Sequence, residues 1–400
     1  MMTRTVSFTP TLLAIAPRPR ARELTSSWME RVATANLVSL EELLAALLER
    51  YPELRCSREV CLDHRLPPAW CQALAKWSRL DEAQIHALDL WRWFPGRDLS
   101  WFSRRWDLSG KPDRAEGSPW WTAAKFCLRC VHQQVRARFP VHRRPEWAPA
   151  FVTHCPEHFG EPLRQHCLCC YRQDPGWMIV ARGRHGAEVH CRYCAVALHH
   201  CSRGKPAPLS ASLQVTLQLE STLIECLRGQ PPDSFWVGPV DAEDFVSLAA
   251  DLLAMLTRRD SQDALTLADH LAAADWWDDH VLGYQAVTAL ERQEHVISRL
   301  KIVAALTKCL LGPRAFEFFR FHSAGCLGRK SLYPFSILFR ELSPEQKSRL
   351  LKRAQHWPEP MAKQVARAAR AAERFRGRSN GFFAKMDRNL AAKMRFSPTI

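Results

Sequence analysis

A mostly α-helical protein, helical at both ends around a cysteine-rich middle, is the fold class this 400-residue sequence predicts. Three observations predict it. Apolar residues recur at i, i+3, i+4 spacing on both sides of the middle. Nine of the 15 cysteines fall between residues 127 and 201. Strand signals are confined to two short ribbons beside those cysteines, Met178-Ile179-Val180 and Ala187-Glu188-Val189. The length implies two or three domains. A composition that is 47% hydrophobic and 24% charged excludes wholesale disorder. No stretch approaches the roughly 18 unbroken apolar residues of a membrane span. Leu12 to Ala16 is short and fenced by Pro10 and Pro17, a poor signal peptide, so the expected compartment is the cytoplasm.

The N-terminal elements follow from local signals. Residues 1–22 read as an irregular Pro/Arg lead-in. Ser27-Trp28-Met29-Glu30 has a capping-box pattern and should start a helix that runs to about Ala35. Asn36 can take the left-handed conformation that ends it. A second capping box, Ser39 to Glu42, opens a helix whose Leu40, Leu43, Leu44, Leu47, Leu48 and Tyr51 share one face. Further helices are expected from Pro68 to Ser78 and from about Asp81, with Ile85 and Leu88 on one side. Short turns between them fit a helix-turn-helix-like domain over residues 1–119, and equally any small helical bundle. Trp91, Trp93, Trp101, Trp106, Trp120 and Trp121 read first as bulky core filling, and base stacking is the lesser reading.

The middle, residues 120–205, carries the chemistry. Cys127/Cys130 is a C-x2-C pair, and Cys155/His158 is a C-x2-H pair. Cys167/Cys170 and Cys191/Cys194 are two more C-x2-C pairs. A knuckle with two intervening residues turns both side chains toward one ion, and its amides can donate to the sulfurs. Two knuckles complete a tetrahedral site. Sulfur with imidazole selects zinc over magnesium or calcium. The reading is therefore a tandem, zinc-ribbon-like double zinc finger holding two structural zinc ions. Cys127, Cys130, Cys155 and His158 form one set, and Cys167, Cys170, Cys191 and Cys194 the other. Spacing leaves alternatives open. Cys169 could replace Cys167 or Cys170, the first knuckle could pair with the third, and His154, His166, His190, His199, His200 and Cys201 are nearby spares. Cys56, Cys61, His64 and Cys71 have irregular spacing and read as core residues rather than a third site.

Ser202 to Pro208 reads as a linker. A C-terminal helical domain, residues 206–345, follows from the periodicity of Phe245, Leu248, Leu252 and Leu256, and of Val287, Leu290, Val296 and Leu300. Ser343-Pro344 starts a later helix with proline at its first position. The Ala/Arg run Val365 to Ala372 is strongly helix-forming. Residues 346–400 then form a basic helical tail. The long apolar helices after residue 240 are compatible with a homodimer.

Charge is concentrated in two places. The whole chain carries +15. Residues 346–400 hold 14 Lys or Arg against three acidic residues, and residues 120–205 hold 13 against five. Everything else is slightly acidic. Clustered cations suit phosphate neutralisation and make DNA the expected partner. A solvated helix face is the plainer alternative.

Catalytic signals are missing from the sequence. Each metal set is complete, whereas a catalytic zinc keeps an open position. No H-E-x-x-H, G-x-x-x-x-G-K-[ST] or G-x-S-x-G pattern occurs. The carboxylate pairs Asp278-Asp279 and Glu41-Glu42 lie in ordinary helical surroundings.

Two stretches together resemble the TniQ family. Pro17-Arg18-Pro19, then Glu23 to Trp28 and the two helices after it, are similar to that family's opening. A cysteine knuckle, Trp147, and Cys155-Pro156-Glu157-His158-Phe159-Gly160-Glu161-Pro162-Leu163 leading to Cys167 through Cys170 resemble its C-P-x-H-G…L…C-x-x-C signature. The first knuckle departs in reading Cys-Leu-Arg-Cys, and Phe159 intervenes before Gly160. The resemblance covers about residues 8–200. It implies a non-catalytic transposition adaptor that selects a target site and recruits an AAA+ ATPase and a DDE transposase. A zinc-containing transcription regulator is the alternative, and a zinc hydrolase or nuclease a more distant one.

Overall fold

The fold is described by a computed structural model over residues 13–56, 62–97, 101–102, 125–137, 141–164, 167, 169–170, 177–181, 187–191, 193–198, 209–233, 236, 240–256, 294–311, 314–315, 335, 339, 342 and 344–370. Among these residues the architecture is mostly helical, with one two-stranded ribbon. The chain divides into two compact units. One comprises residues 1–209, 220–230 and 286–300, and the other residues 210–219, 231–285 and 301–400.

The first unit opens with α1 (Thr25–Ala35) and α2 (Leu40–Arg50), which pack together. A 3-10 turn at Pro52–Cys56 leads on to α3 (Pro68–Ser78), α4 (Glu82–His86) and α5 (Leu90–Trp93). Trp28, Met29, Val32, Leu43, Leu47, Trp70, Leu74, Trp77, Ile85 and Leu88 interdigitate in a common core. Trp28, Trp70 and Trp77 are almost wholly buried, and truncating any one to alanine costs about 3–5 kcal/mol. Pro68 stands at the first turn of α3, where its missing N–H is no loss. Arg79 then takes the left-handed conformation (φ 56°) that stops the helix. At five residues, α4 is little more than one turn.

The two predicted capping boxes fare differently. Around Ser39 both halves form: the Glu42 amide donates to Ser39 Oγ (3.1 Å), and the Ser39 amide to Glu42 Oε2 (2.7 Å). Around Ser27 the box does not form, because α1 begins two residues earlier and is buried along most of its length. Ser27 Oγ instead accepts the Arg143 amide (2.9 Å), and Glu30 pairs with the Arg143 guanidinium (3.0 Å). The terminus of α1 is corrected as well. Asn36 has φ −97° and spends its side chain on Ile15 and Val32, while the left-handed residue is Leu37, φ 58°.

Farther along the first unit come α6 (Leu128–Arg136), a 3-10 turn at Pro145–Trp147, and the ribbon of β1 (Trp177–Ala181) and β2 (Ala187–Cys191). The strands are antiparallel, with Trp177 opposite Cys191 and Ile179 opposite Val189. Trp101 and Trp147 are buried, as core filling requires, whereas Trp91 remains partly exposed. Trp106, Trp120 and Trp121 lie outside the described residues.

A long helix, α7 (Ala211–Leu227), has its residues divided between the two units. In the second unit, α8 (Ala242–Leu256) buries Phe245, Leu248, Leu252 and Leu256 as the periodicity predicts. Then come α9 (Glu294–Leu311), whose residues up to 300 belong to the first unit, and α10 (Pro344–Ala354), the latter starting at the proline. Arg353 (2.7 Å) and the Trp357 indole (3.0 Å) both bond Asp251, pinning the α10 region to α8. Residues 359–370 are helical, with Met361, Val365, Ala368 and Ala369 buried and Lys363, Arg367 and Arg370 exposed. The linker at 202–208, Val287, Leu290 and the tail beyond 370 lie outside the described residues.

Candidate metal centres

The first cluster is assembled by short-range backbone pairing. Phe126 and Arg164 exchange amide hydrogen bonds (2.9 and 2.8 Å), which sets Cys127 beside the segment that follows Cys155. Cys127 is the residue before α6, and its sulfur accepts the Cys130 amide at 3.5 Å. The second knuckle folds back on itself, with the Cys155 amide donating to Glu161 O (2.8 Å) and the Glu161 amide to His158 O (2.7 Å). Gly160 makes that reversal with φ +88°. A Cβ at Gly160 would also meet the Leu209 side chain at 3.0 Å, so space as well as conformation asks for glycine.

These turns bring Cys127, Cys130, Cys155 and His158 together, with all four donor atoms within 4.8 Å of one another. His158 Nδ1 lies 3.5 Å from Cys127 Sγ, 3.2 Å from Cys130 Sγ and 3.7 Å from Cys155 Sγ. Cys130 Sγ and Cys155 Sγ are 3.6 Å apart. Tetrahedral bonds of about 2.3 Å to sulfur and about 2.0 Å to nitrogen give edges of about 3.5–3.8 Å. The donor set and the spacing therefore fit one zinc-sized ion. Hydrogen bonds from Cys127 and then Cys130 push the Cys155 thiol down to about 2. Hydrogen bonding with Cys127 and Cys155 pushes the Cys130 thiol up.

The second cluster rests on the ribbon. Cys191 ends β2, and the chain turns through Ala195 (φ 56°) to pair His190 with Ala197. Cys167, Cys170, Cys191 and Cys194 converge, again within 4.8 Å. Cys167 and Cys194 sulfurs are 3.6 Å apart, as are those of Cys170 and Cys191. Cys169 faces solvent, and its amide donates to Cys167 Sγ at 3.4 Å. The structure thus groups the knuckles in chain order, first with second and third with fourth.

Two of the spare histidines are otherwise engaged. His154 Nδ1 bonds Thr153 Oγ1 (2.8 Å), and burial pushes its pKa down to about 3. His190 is held by Glu188 and the Ala195 carbonyl. His166, His199, His200 and Cys201 lie outside the described residues. His64 Nε2 bonds the Arg97 carbonyl (2.9 Å), and Cys71 is buried on α3, its thiol pushed up to about 12 by that burial. Cys61 is not among the described residues.

Around the first cluster lies a bracing shell that sequence reasoning missed. Glu157 bonds Arg22 (2.9 Å) and Arg144, and Glu146 bonds Arg22 and Arg228 (both 2.8 Å). Glu220 of α7 accepts the amides of Thr153 (3.0 Å) and His154 (3.2 Å) and the Thr153 hydroxyl. Burial raises the Glu220 carboxyl to about 7. No local pattern marks a glutamate on an otherwise ordinary helix as the anchor of a loop 66 residues upstream.

No curated protein matches the chain. The TniQ family model matches residues 14–159, a span that contains the helices α1 to α5 and the whole first cluster and stops before the second. Among the described residues no helix is long and apolar enough to cross a membrane. Residues 14–159 are thus similar to the TniQ family, a family associated with DNA transposition.

Proposed function

We propose that this protein is a non-catalytic accessory factor of DNA transposition that selects a target site and recruits an AAA+ ATPase and a DDE transposase. The observation that carries this reading is the coincidence of the TniQ match with a four-donor cluster that has no spare corner. In this reading Cys127, Cys130, Cys155 and His158 hold one structural zinc, and Cys167, Cys170, Cys191 and Cys194 a second. When bound, each ion supplies cross-linking alone. The residues around it position loops. The protein works in the cytoplasm, divided into an N-terminal helix-turn-helix-like domain (1–119), a tandem zinc-finger module (120–205), a helical domain (206–345) and a basic tail (346–400).

DNA is the expected ligand of the basic face. Arg349, Lys352 and Arg353 on α10, and Lys363, Arg367 and Arg370 after it, are exposed while Leu350, Trp357, Met361 and Val365 between them are buried. This placement supports a role in phosphate contact. Deleting the tail would remove that buried face as well, so a charge variant is the cleaner test. Replacing Arg349, Arg367 and Arg370 by glutamine should weaken DNA binding in a mobility-shift assay by about tenfold or more. It should also flatten the dependence of log K on log salt by about 0.9 for each phosphate no longer neutralised. Unchanged affinity and slope would remove the tail from the interface. Co-purification with the element's ATPase tests the recruiting role. Tight binding to one operator with no ATPase partner would favour a transcription regulator instead.

A further inference from the structure

Away from both cysteine clusters, three donor side chains converge inside the helical bundle. Cys71 sits on α3, His86 ends α4, and Asp89 immediately precedes α5. Cys71 Sγ lies 3.5 Å from His86 Nδ1, and Asp89 Oδ2 lies 3.4 Å from that same nitrogen. All three donor atoms fall within 4.8 Å of one another. Cys71 is fully buried and Asp89 is 3% exposed, while the His86 side chain is 43% exposed. Among the described residues Asp89 Oδ1 is buried with no hydrogen-bond partner, and Oδ2 has only the Leu66 amide at 3.4 Å besides His86. A buried carboxylate so poorly served is costly unless a cation meets it.

A cysteine, a histidine and an aspartate suggest a nucleophilic triad first. That requires the nucleophile on one ring nitrogen and the carboxylate on the other. Here sulfur and carboxylate face the same nitrogen, so no proton relay runs through the ring. A single Nδ1–H also cannot point at both partners, whereas an ion seated among the three satisfies all of them. Edges of 3.4 and 3.5 Å are those of donors about 2.0–2.3 Å from a tetrahedral zinc.

We propose that Cys71, His86 and Asp89 hold a third divalent ion of the zinc type, with solvent as its fourth ligand on the open His86 side. The ion ties α3, α4 and the start of α5 together from within. Thiolate, imidazole and carboxylate together suit zinc or cobalt and are a poor match for calcium or magnesium.

The test is a metal count on the full-length protein, equilibrated with excess zinc and then freed of unbound metal. Wild type should hold one equivalent more than His86→Ala and one more than Asp89→Asn. His86 is exposed, so its loss does not endanger folding, and circular dichroism checks that the helical content is kept. Protein reconstituted with cobalt(II) in place of zinc should show less thiolate-to-cobalt charge-transfer absorbance in Cys71→Ser than in wild type. Equal metal content in wild type and His86→Ala, or equal cobalt charge-transfer absorbance in wild type and Cys71→Ser, overturns the proposal. Because the readout is a difference at one site, it stands whether or not the protein acts in transposition.

Discussion

The two cysteine clusters have the same size and knuckle spacing but very different surroundings. The first is walled in. Its three sulfurs are buried, a backbone bridge fixes one knuckle against the other, and Arg22, Arg144 and Glu220 brace the loop that holds Cys155 and His158. The second stands on a two-stranded ribbon, and Cys170 and Cys194 are only half-buried. The ribbon is backed by helices, β1 by α1 and β2 by α6. The second site is nonetheless less enclosed than the first, whose three sulfurs are all buried in the core that supports them. The TniQ match includes the first cluster and excludes the second, which is the same division.

The largest expected effect follows from breaking the first cluster. Cys155→Ser should cost one zinc equivalent and most of the folded population. The cross-link energy, on the order of 10 kcal/mol in small peptides, is comparable to the total stability of a domain. Zinc analysis and thermal melting by circular dichroism measure it, and a stable one-zinc variant would show that the bracing shell suffices alone. Next comes Arg143→Ala, which leaves Glu30 of α1 buried without this ion pair and should cost about 3–5 kcal/mol in urea unfolding.

Glu220→Gln should act through pH. The carboxyl is wholly buried and its pKa is raised from 4.5 to about 7 in the folded state. The folded form therefore holds the proton more tightly, and wild type loses stability as pH rises through that window. The loss from this group reaches at most about 3 kcal/mol above pH 7. The variant should lack that component. Comparing urea midpoints of wild type and variant at the two ends of the window isolates it. A parallel offset at both ends would mean that Glu220 stays charged. Cys191→Ser should disturb the helical core least. It should release one zinc equivalent and loosen the ribbon, with a smaller loss in the main unfolding transition than Cys155→Ser gives. A shift as large as that of Cys155→Ser would erase the distinction between the clusters.

Legible in the sequence are the features closed within a few residues. The Ser39 box involves a serine and a glutamate three positions apart, and it forms. The C-x2-C and C-x2-H pairs are likewise local, and so are the strands beside them. The Ser27 signal is equally good locally, but Arg143, 116 positions away, takes both of its polar groups. Which knuckle meets which depends on the Phe126–Arg164 bridge and the ribbon register, neither of which has a spacing rule. Cys71, His86 and Asp89 escape a reading by spacing because a turn and two helices separate donors that meet only after packing.

Glu220 and Arg228 also order events in time. On the ribosome, all eight donors of the two clusters have been synthesised by residue 194, yet the carboxylate that fastens the Thr153–His154 loop and the guanidinium that holds Glu146 come later, on α7 and just beyond it. A nascent chain can therefore gather its sulfurs early but cannot secure the Cys155/His158 knuckle until the end of that helix emerges. The elongating polypeptide finishes its most heavily braced site with residues from well downstream.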